Sequence, residues 1–127
     1  MSEISEHPID VSVSAHYIEG QSEPSRNRYV FSYTITITNF GKRPAQLISR
    51  HWIITDADGN QQEVQGDGVV GEQPKMQPGE GFRYTSGAIL KTAVGSMQGK
   101  YHMVDDEGNK FEAPIEAFTL AVPGSLH

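Results

Sequence analysis

The spacing of three glycines is the feature of this sequence that most resembles a chemical motif. Gly66, Gly68 and Gly71 match the string G-x-G-x-x-G, which in dinucleotide-binding folds holds a pyrophosphate between a strand and a helix N-terminus. Pro74 and Pro78 argue against that helix, because each would remove a backbone donor and cost about 3 kcal/mol in a helix interior. Two interpretations remain: a loop whose amides hold a phosphate without a helix, and a structural loop whose glycines permit positive φ, which we favour.

The charges around the glycine motif do not favour a phosphate. Asp67, Glu72 and Glu80 are acidic, and only Lys75 and Arg83 oppose them. Like charges repel an anion at this range, so a phosphate would depend on the loop amides and on these two cations. Arg83 and the three glycines are therefore our candidates for contact with a ligand or a partner.

Arg50 and His51 are two further candidates, because they directly precede Trp52, the single tryptophan. Alternation along a strand places Arg50 on the tryptophan's face and His51 on the opposite face. A guanidinium on a core-facing row must pair with a carboxylate or reach the rim of the core, since a buried unpaired charge is costly. We favour a rim arginine stacked on an aromatic ring such as Tyr84 over a ligand anchor.

Two acidic turns are the candidates for a metal site. Hard cations need several converging oxygens, and the turns supply Asp56, Asp58, Asp105, Asp106 and Glu107. A calcium-binding loop has glycine at its sixth position and glutamate at its twelfth. In the first turn, counted from Asp56, glycine comes at the fourth position as Gly59, and the twelfth is Asp67. Aspartates in turns usually bond the backbone. We therefore predict no metal site and keep the four aspartates as the residues that a metal would use.

Catalytic and cofactor chemistry has little support in the sequence. The histidines at positions 16, 51 and 102 show no ligand-pair spacing. Ser86 and Ser96 are present, but no nucleophile-elbow motif surrounds either of them. We predict no catalytic residue and no cofactor, and a protein that is not an enzyme.

The elements that carry these residues are predicted to be short β-strands. Residues 29–37 alternate aromatic or β-branched side chains with mainly hydroxyl-bearing ones, a period of two that indicates one buried face. Similar patterns predict strands at 9–17, 47–55, 61–65, 82–87, 97–103 and 110–120, the last interrupted at Pro114. A turn-rich segment at 66–81 and a brief helical turn within 88–95 complete the prediction.

This pattern predicts an all-β fold, an antiparallel β-sandwich of seven or eight strands. In immunoglobulin-like sandwiches a buried tryptophan lies on the third strand, and a tyrosine stands two residues before a core position of the sixth. Trp52 lies on the third predicted strand, and Tyr101 stands two residues before Met103. We expect Met103 to pack against Ile35 or Ile37, where antibody domains carry a disulfide.

Composition limits the classes of function. The chain has 127 residues, no cysteine and a formal net charge of −6, which indicates one domain without disulfides or thiolate metal sites. An acidic surface repels polyanions, so we predict no nucleic-acid partner. The first residues do not form a basic leader, and no stretch approaches the ~18 apolar residues of a membrane span, so we predict a soluble cytoplasmic protein. An exposed edge strand permits a sheet-extended homodimer.

Four blocks of the sequence are similar to those of one family. They are ISRHWIITD at 48–56, GDGVVGEQP at 66–74, PGEGFRYTSG at 78–87 and GSMQGKY at 95–101. In this order they resemble the ApaG family, called CorD in some bacteria, and the resemblance indicates one ApaG domain over residues 3–127. It implies a sandwich similar to fibronectin type III and immunoglobulin domains, with a short polar N-terminus and a C-terminal tail.

The resemblance implies less about activity. Bacterial members are associated with cobalt resistance and magnesium efflux, and related domains of eukaryotic F-box and polymerase-interacting proteins look like protein-binding modules. We therefore expect a non-enzymatic module that binds an unidentified protein partner through residues 66–81 and neighbouring strand edges. The alternative is a small-ligand sensor that binds a divalent cation or a nucleotide pyrophosphate through the loop from Gly66 to Gly71.

Overall fold

Eight β-strands account for most of the residues that the structure, a computed structural model, describes, which are residues 8–125. The strands are β1 (Ile9–Tyr17), β2 (Tyr29–Asn39), β3 (Ala45–Asp56), β4 (Gln61–Asp67), β5 (Lys75–Met76), β6 (Gly81–Leu90), β7 (Val94–Asp105) and β8 (Lys110–Ala121). Two single-turn 3-10 helices, Glu19–Gln21 and Pro24–Arg26, lie between β1 and β2. No helix in this part of the chain is long and apolar enough to cross a membrane.

The strands form two antiparallel sheets. One sheet has three strands in the order β1-β2-β6. The other has the order β4-β3-β7-β8, with the two-residue strand β5 also pairing with β3. The prediction of an all-β antiparallel sandwich is confirmed. The predicted N-terminus, residues 1–7, and the last two residues of the predicted tail lie outside the described residues, so the domain bounds of 3–127 stay a prediction.

Alternation along β2 shows why the sheets pack face to face. Phe31, Tyr33, Ile35 and Ile37 are buried, whereas the hydroxyl-bearing residues between them are partly exposed. Burial of one face of each sheet is the hydrophobic gain that holds two such layers together. The inner face of β2 supplies four of the nineteen residues of this core, and the inner rows of β3, β6, β7 and β8 supply thirteen more.

Trp52 lies at the centre of the core, as predicted. Its ring makes edge contacts with Tyr33 of the facing sheet and with Phe118 of β8, at centroid distances of 5.5 and 6.0 Å. Met103 is buried in the same core cluster as Ile35 and Ile37, in agreement with the immunoglobulin-like pattern. Packing of apolar side chains thus replaces the disulfide of antibody domains.

Two local predictions are wrong. Residues 88–95 contain no helical turn, because β6 continues to Leu90 in register with Tyr29 and β7 begins at Val94. The side chain of Thr92 shapes the connection, accepting from the amide of Ala57 at 3.0 Å and donating to the carbonyl of Val94 at 2.8 Å. Pro114 does not interrupt β8, because β8 is an edge strand that needs ladder hydrogen bonds on one side only.

The segment 66–81 is turn-rich, as predicted, but it contains the short strand β5. The buried side chain of Asn39 holds this strand, since its Nδ2 donates to the carbonyls of Met76 at 3.0 Å and Arg43 at 2.9 Å. A buried amide with its donors paired specifies one arrangement of the three segments it joins. The middle of the 66–81 segment is thereby fixed against β3. The residues before β5 form a loop.

Candidate functional site

Arg50 organises the region that carries most of the candidate residues. It follows an irregularity between Leu47 and Ser49, where the pairing of β3 with β7 shifts register. Its Nη1 donates to the main-chain carbonyls of Asp67 at 3.0 Å and Gly68 at 2.8 Å. The guanidinium thus reaches the rim of the sandwich, as predicted. The guanidinium is held at the rim by main-chain carbonyl oxygens. In the described part of the chain it is not held by stacking on the ring of Tyr84, as we expected, or by a carboxylate.

Each glycine of the motif has a structural role in the loop that Arg50 holds, which we call the glycine loop (residues 66–72). A Cβ at Gly66 would lie 3.0 Å from both Nη1 and Nη2 of Arg50, so this glycine leaves room for the guanidinium. Gly68 has φ +63°, and a Cβ there would overlap the carbonyl oxygen of Glu72. No helix follows Gly71, since the next element is the strand β5. This geometry lacks the helix dipole of a dinucleotide site.

The tip of the glycine loop is a two-residue turn under backbone strain. Val69 and Glu72 exchange both main-chain hydrogen bonds, at 2.8 and 2.9 Å. Val70 and Gly71 between them have φ +44° and +82°, as a type I′ turn requires. A β-branched residue rarely adopts positive φ. Val70 is also 54 % exposed, so neither its conformation nor its position is explained by the core.

We expect Val70→Asn to raise the free energy of unfolding by about 1 kcal/mol, because asparagine tolerates the left-handed conformation that strains valine. The measurement is urea-induced unfolding followed by far-ultraviolet circular dichroism. Val64→Asn is the matched control, since Val64 is exposed but has ordinary strand geometry. An unchanged or lower midpoint for Val70→Asn would contradict strain at this position.

A polar pocket of about 250 Å³ lies between the glycine loop and the three-stranded sheet. Arg50, Tyr33, Tyr84 and Ser86 line it together with Asp67 and residues 69–71, and we call it the Arg50 pocket. Tyr33 and Ser86 lie opposite each other where β2 pairs with β6. The pocket is therefore built from two strands, one loop and a fixed cation.

Three tyrosine hydroxyls cluster beside this pocket. The hydroxyls of Tyr84 and Tyr101 are 2.6 Å apart in the buried core. Burial raises the pKa of Tyr84 to about 12, although the hydrogen bond with Tyr101 and the charge of Arg50 lower it. Burial also raises the pKa of Tyr101 and of Tyr33 above the ordinary value. All three phenols are therefore neutral hydrogen-bonding groups at neutral pH.

The structure separates two candidates from this group. Arg83 lies on the exposed outer row of β6, opposite Thr36 in the sheet. His51 lies on the outer face of the five-stranded sheet, where its Nε2 is 2.7 Å from Oε2 of Glu63.

An open hollow of about 410 Å³ runs past His51, Lys100 and His102 to the outer side of Gly66 and Arg50. A carboxylate pairs with one of its cations, since Oε2 of Glu112 lies 3.2 Å from Nζ of Lys100.

Three of the four aspartate side chains are occupied within their own turns or by an arginine, whereas the exposed Asp58 takes part, among the described residues, only through its main-chain amide. The Asp56 carboxylate accepts from the amides of Asp58 and Asn60, at 2.9 and 3.0 Å. Desolvation alone would raise the pKa of Asp56, but these hydrogen bonds outweigh it and hold the pKa below its ordinary value.

Asp105 accepts from two amides of its turn in the same way, and Oδ1 of Asp106 is 3.4 Å from Nη1 of Arg43. Within residues 8–125, no three histidine, aspartate or glutamate side chains are grouped to hold a metal ion.

Sequence reasoning missed three residues of this region. In the sequence Tyr33 is one member of an alternating strand and Ser86 is a serine without a nucleophile motif. The pairing of β2 with β6 brings them together, opposite each other in register. Val70 had one usable signal, which is that it directly precedes Gly71 in a glycine-rich string. A glycine at the second position is typical of a two-residue type I′ turn. The exposure and positive φ of Val70 could not be read from residue type.

Known proteins match the sequence of this chain along its whole length. The family model described as DUF525, the ApaG domain, matches residues 19–105. A protein named ApaG from Thiobacillus denitrificans is 60 % identical over 127 residues, covering 100 % of both chains, and one from Aromatoleum aromaticum is 55 % identical over the same share of each.

Solved structures extend the likeness to three dimensions. A crystal structure described as the putative ApaA protein from Bordetella pertussis is 53 % identical to this chain, covers 95 % of it and 98 % of its own chain, and superposes with a TM-score of 0.92. The likeness therefore extends to both the sequence and the fold. The chain belongs to the ApaG family.

Proposed function

We propose that this chain is a non-enzymatic binding module that contacts a protein partner through the glycine loop and the adjacent edge of β4. The observation that carries the proposal is Val70, an apolar side chain held at φ +44° and 54 % exposed at the loop tip. Strained residues persist where the surrounding structure enforces them, and they cluster at binding sites. An exposed apolar tip beside a polar pocket offers a partner both burial and hydrogen bonds.

The edge of β4 supports the same surface. Six of its seven residues are exposed, and the strand pairs with β3 on one side only. Its other side presents main-chain donors and acceptors to which an extended peptide can add as a further strand. The same edge permits a second copy of the chain to pair, so the homodimer stays a prediction that competes with a different partner for β4.

The association of the family with cobalt and magnesium enters this proposal indirectly. The turn aspartates bond their own backbone, and a tight hard-cation site needs several free oxygens at one point. We propose that a cation effect of this cytoplasmic module acts through the partner and not through bound metal. Calorimetric titration with Mg²⁺ and Co²⁺ tests this step, and saturable heat at micromolar metal would favour the cation sensor instead.

The proposed surface is tested by site-specific photo-crosslinking in living bacteria. A photo-crosslinking amino acid at position 70 is expected to give one dominant protein adduct. The same amino acid at position 89 is the control, because Ile89 is 44 % exposed and lies on the outer row of β6. Equal adducts from both positions, or none from position 70, would overturn the proposal.

Val70→Asn then separates binding from folding. We expect this variant to be more stable than the unmodified chain. Because position 70 is now asparagine, the crosslinking amino acid is placed at position 64 on β4 in both proteins. We expect the variant to form less than about one tenth of the adduct that the chain with Val70 forms. Loss of binding in a stabilised protein cannot come from unfolding. Undiminished adduct in the variant would show that Val70 is not part of the contact.

A further inference from the structure

The Arg50 pocket contains hydrogen-bond donors that the chain itself does not use. Nη1 of Arg50 is engaged by the carbonyls of Asp67 and Gly68. Within the described residues, neither Nε nor Nη2 of Arg50 has a hydrogen-bond acceptor, and the same holds for the amide N–H of Val70 and of Gly71. The guanidinium is thus fixed at one edge and free at the other.

The charge of the pocket favours an anion. Arg50 is the single cationic side chain among its lining residues. Asp67 also lines it, but alternation along β4 puts the Asp67 side chain on the same face as Glu63, which pairs with His51 on the outer face of the sheet. Asp67 therefore contributes its main chain, whose carbonyl is bonded to Arg50. The buried hydroxyl of Tyr33 and that of Ser86 complete a polar lining.

The size of the pocket limits the anion. Its volume of about 250 Å³ lies below the ~300 to 1,000 Å³ that whole small-molecule ligands occupy. A nucleotide would not be enclosed here, whereas one functional group of a larger partner would be. A planar guanidinium with a free edge matches a planar carboxylate through two parallel hydrogen bonds.

We propose that the Arg50 pocket binds a carboxylate carried by a peptide segment of the protein partner. The inference rests on the proposed function and names the chemistry of its central contact. The carboxylate accepts from Nε and Nη2 of Arg50, and the adjoining peptide lies against the exposed side chain of Val70. A net charge of −6 on the chain disfavours a dianionic phosphate relative to a carboxylate in the same position.

The first test is a nuclear magnetic resonance titration with acetate and, separately, with inorganic phosphate at matched ionic strength. We expect acetate to shift the Arg50 Nε–H signal and the amides of Val70 and Gly71 in a saturable way. Shifts spread over the surface, or tighter binding of phosphate than of acetate at these signals, would overturn the proposal.

The source of the carboxylate is tested with three short peptides. They are N-acetyl-Gly-Gly-Val as the free acid, the same peptide as its amide, and N-acetyl-Gly-Glu-Gly-amide. Tighter binding of the first supports a C-terminal carboxylate, and tighter binding of the third supports an acidic side chain. If neither binds more tightly than the uncharged amide, the pocket does not recognise a carboxylate.

Variants connect the binding to Arg50. Arg50→Lys keeps the charge but loses the planar fork, and we expect about tenfold weaker binding of acetate and of the better peptide. Gly66→Ala keeps Arg50 itself and displaces its guanidinium, since the added Cβ would lie 3.0 Å from two guanidinium nitrogens, so it is expected to weaken binding as well. Arg83→Lys is the matched control and should bind as the unmodified chain does. Unchanged affinity in both pocket variants would overturn the proposal.

The outcome is distinguishable from failure of the proposed function. If the adduct at position 70 forms equally in Arg50→Lys, the protein contact stands and the carboxylate site is wrong. If acetate and peptide bind as expected but no adduct forms from position 70, recognition of a carboxylate by the pocket stands and the proposed protein contact at Val70 is wrong.

Discussion

Trp52→Ala is expected to lower the free energy of unfolding by about 3 to 5 kcal/mol, the range for a large aromatic removed from a packed core. Trp52 is 2 % exposed and touches aromatic rings of both sheets, at 5.5 Å for Tyr33 and 6.0 Å for Phe118. The cavity left by the indole would lie between the sheets, where neither layer can collapse without moving the other. Urea unfolding followed by circular dichroism measures the loss, since tryptophan fluorescence disappears with the residue.

Trp52→Phe separates packing from polarity at the same position. The indole N–H of Trp52 is buried without a hydrogen-bond partner among the described residues, and an unsatisfied buried donor costs about 1 to 3 kcal/mol. Phenylalanine removes that donor while keeping one ring, so this variant should lose much less than half of what alanine loses. Phe40→Ala is the control, because Phe40 is 66 % exposed. A similar loss from Phe40→Ala would show that Trp52 is not the centre of the core.

The strands were predictable because their signal is local. In β2 every second residue is buried from Phe31 to Asn39, and that period of two is visible in residue types alone. The turns after Asp56 and Asp105 were likewise visible, since aspartate and glycine favour them for backbone reasons. Pro114 misled because residue type does not show whether a strand lies at the edge of a sheet, where proline is tolerated.

The candidate site was less predictable because it depends on distant pairing. Arg50 could be placed at a rim by its charge, but its partners are carbonyls of residues 17 and 18 positions away. Only the register of β3 with β4 brings Gly66 beneath the guanidinium. A string of three glycines therefore looks like a phosphate motif in the sequence. In this fold, Gly66 makes space for Arg50, and Gly68 allows the backbone of Glu72 to approach closely.

Alkaline unfolding is the second large effect that we expect, and its cause is the tyrosine cluster beside Arg50. Burial raises the pKa of Tyr84 to about 12 from the ordinary 10.0, and burial also raises the pKa of Tyr33 and Tyr101. Because the folded state holds these protons more tightly, its stability is complete below the unfolded pKa of about 10 and falls as pH rises above it. Tyr84 alone would account for roughly 3 kcal/mol between these two pKa values.

Urea unfolding in buffers between about pH 8 and pH 12 measures the loss, with phenolate absorbance as an independent record of when the buried tyrosines ionise. Tyr84→Phe is the control. It leaves the Tyr101 hydroxyl without the partner that lies at 2.6 Å, so its stability at neutral pH should be lower by about 1 kcal/mol. Its stability should nevertheless fall less steeply above pH 10, because one of the tightly held protons is absent. Equal slopes in both proteins would show that Tyr84 ionises without opposing the fold, and would place the cause of alkaline unfolding outside this cluster.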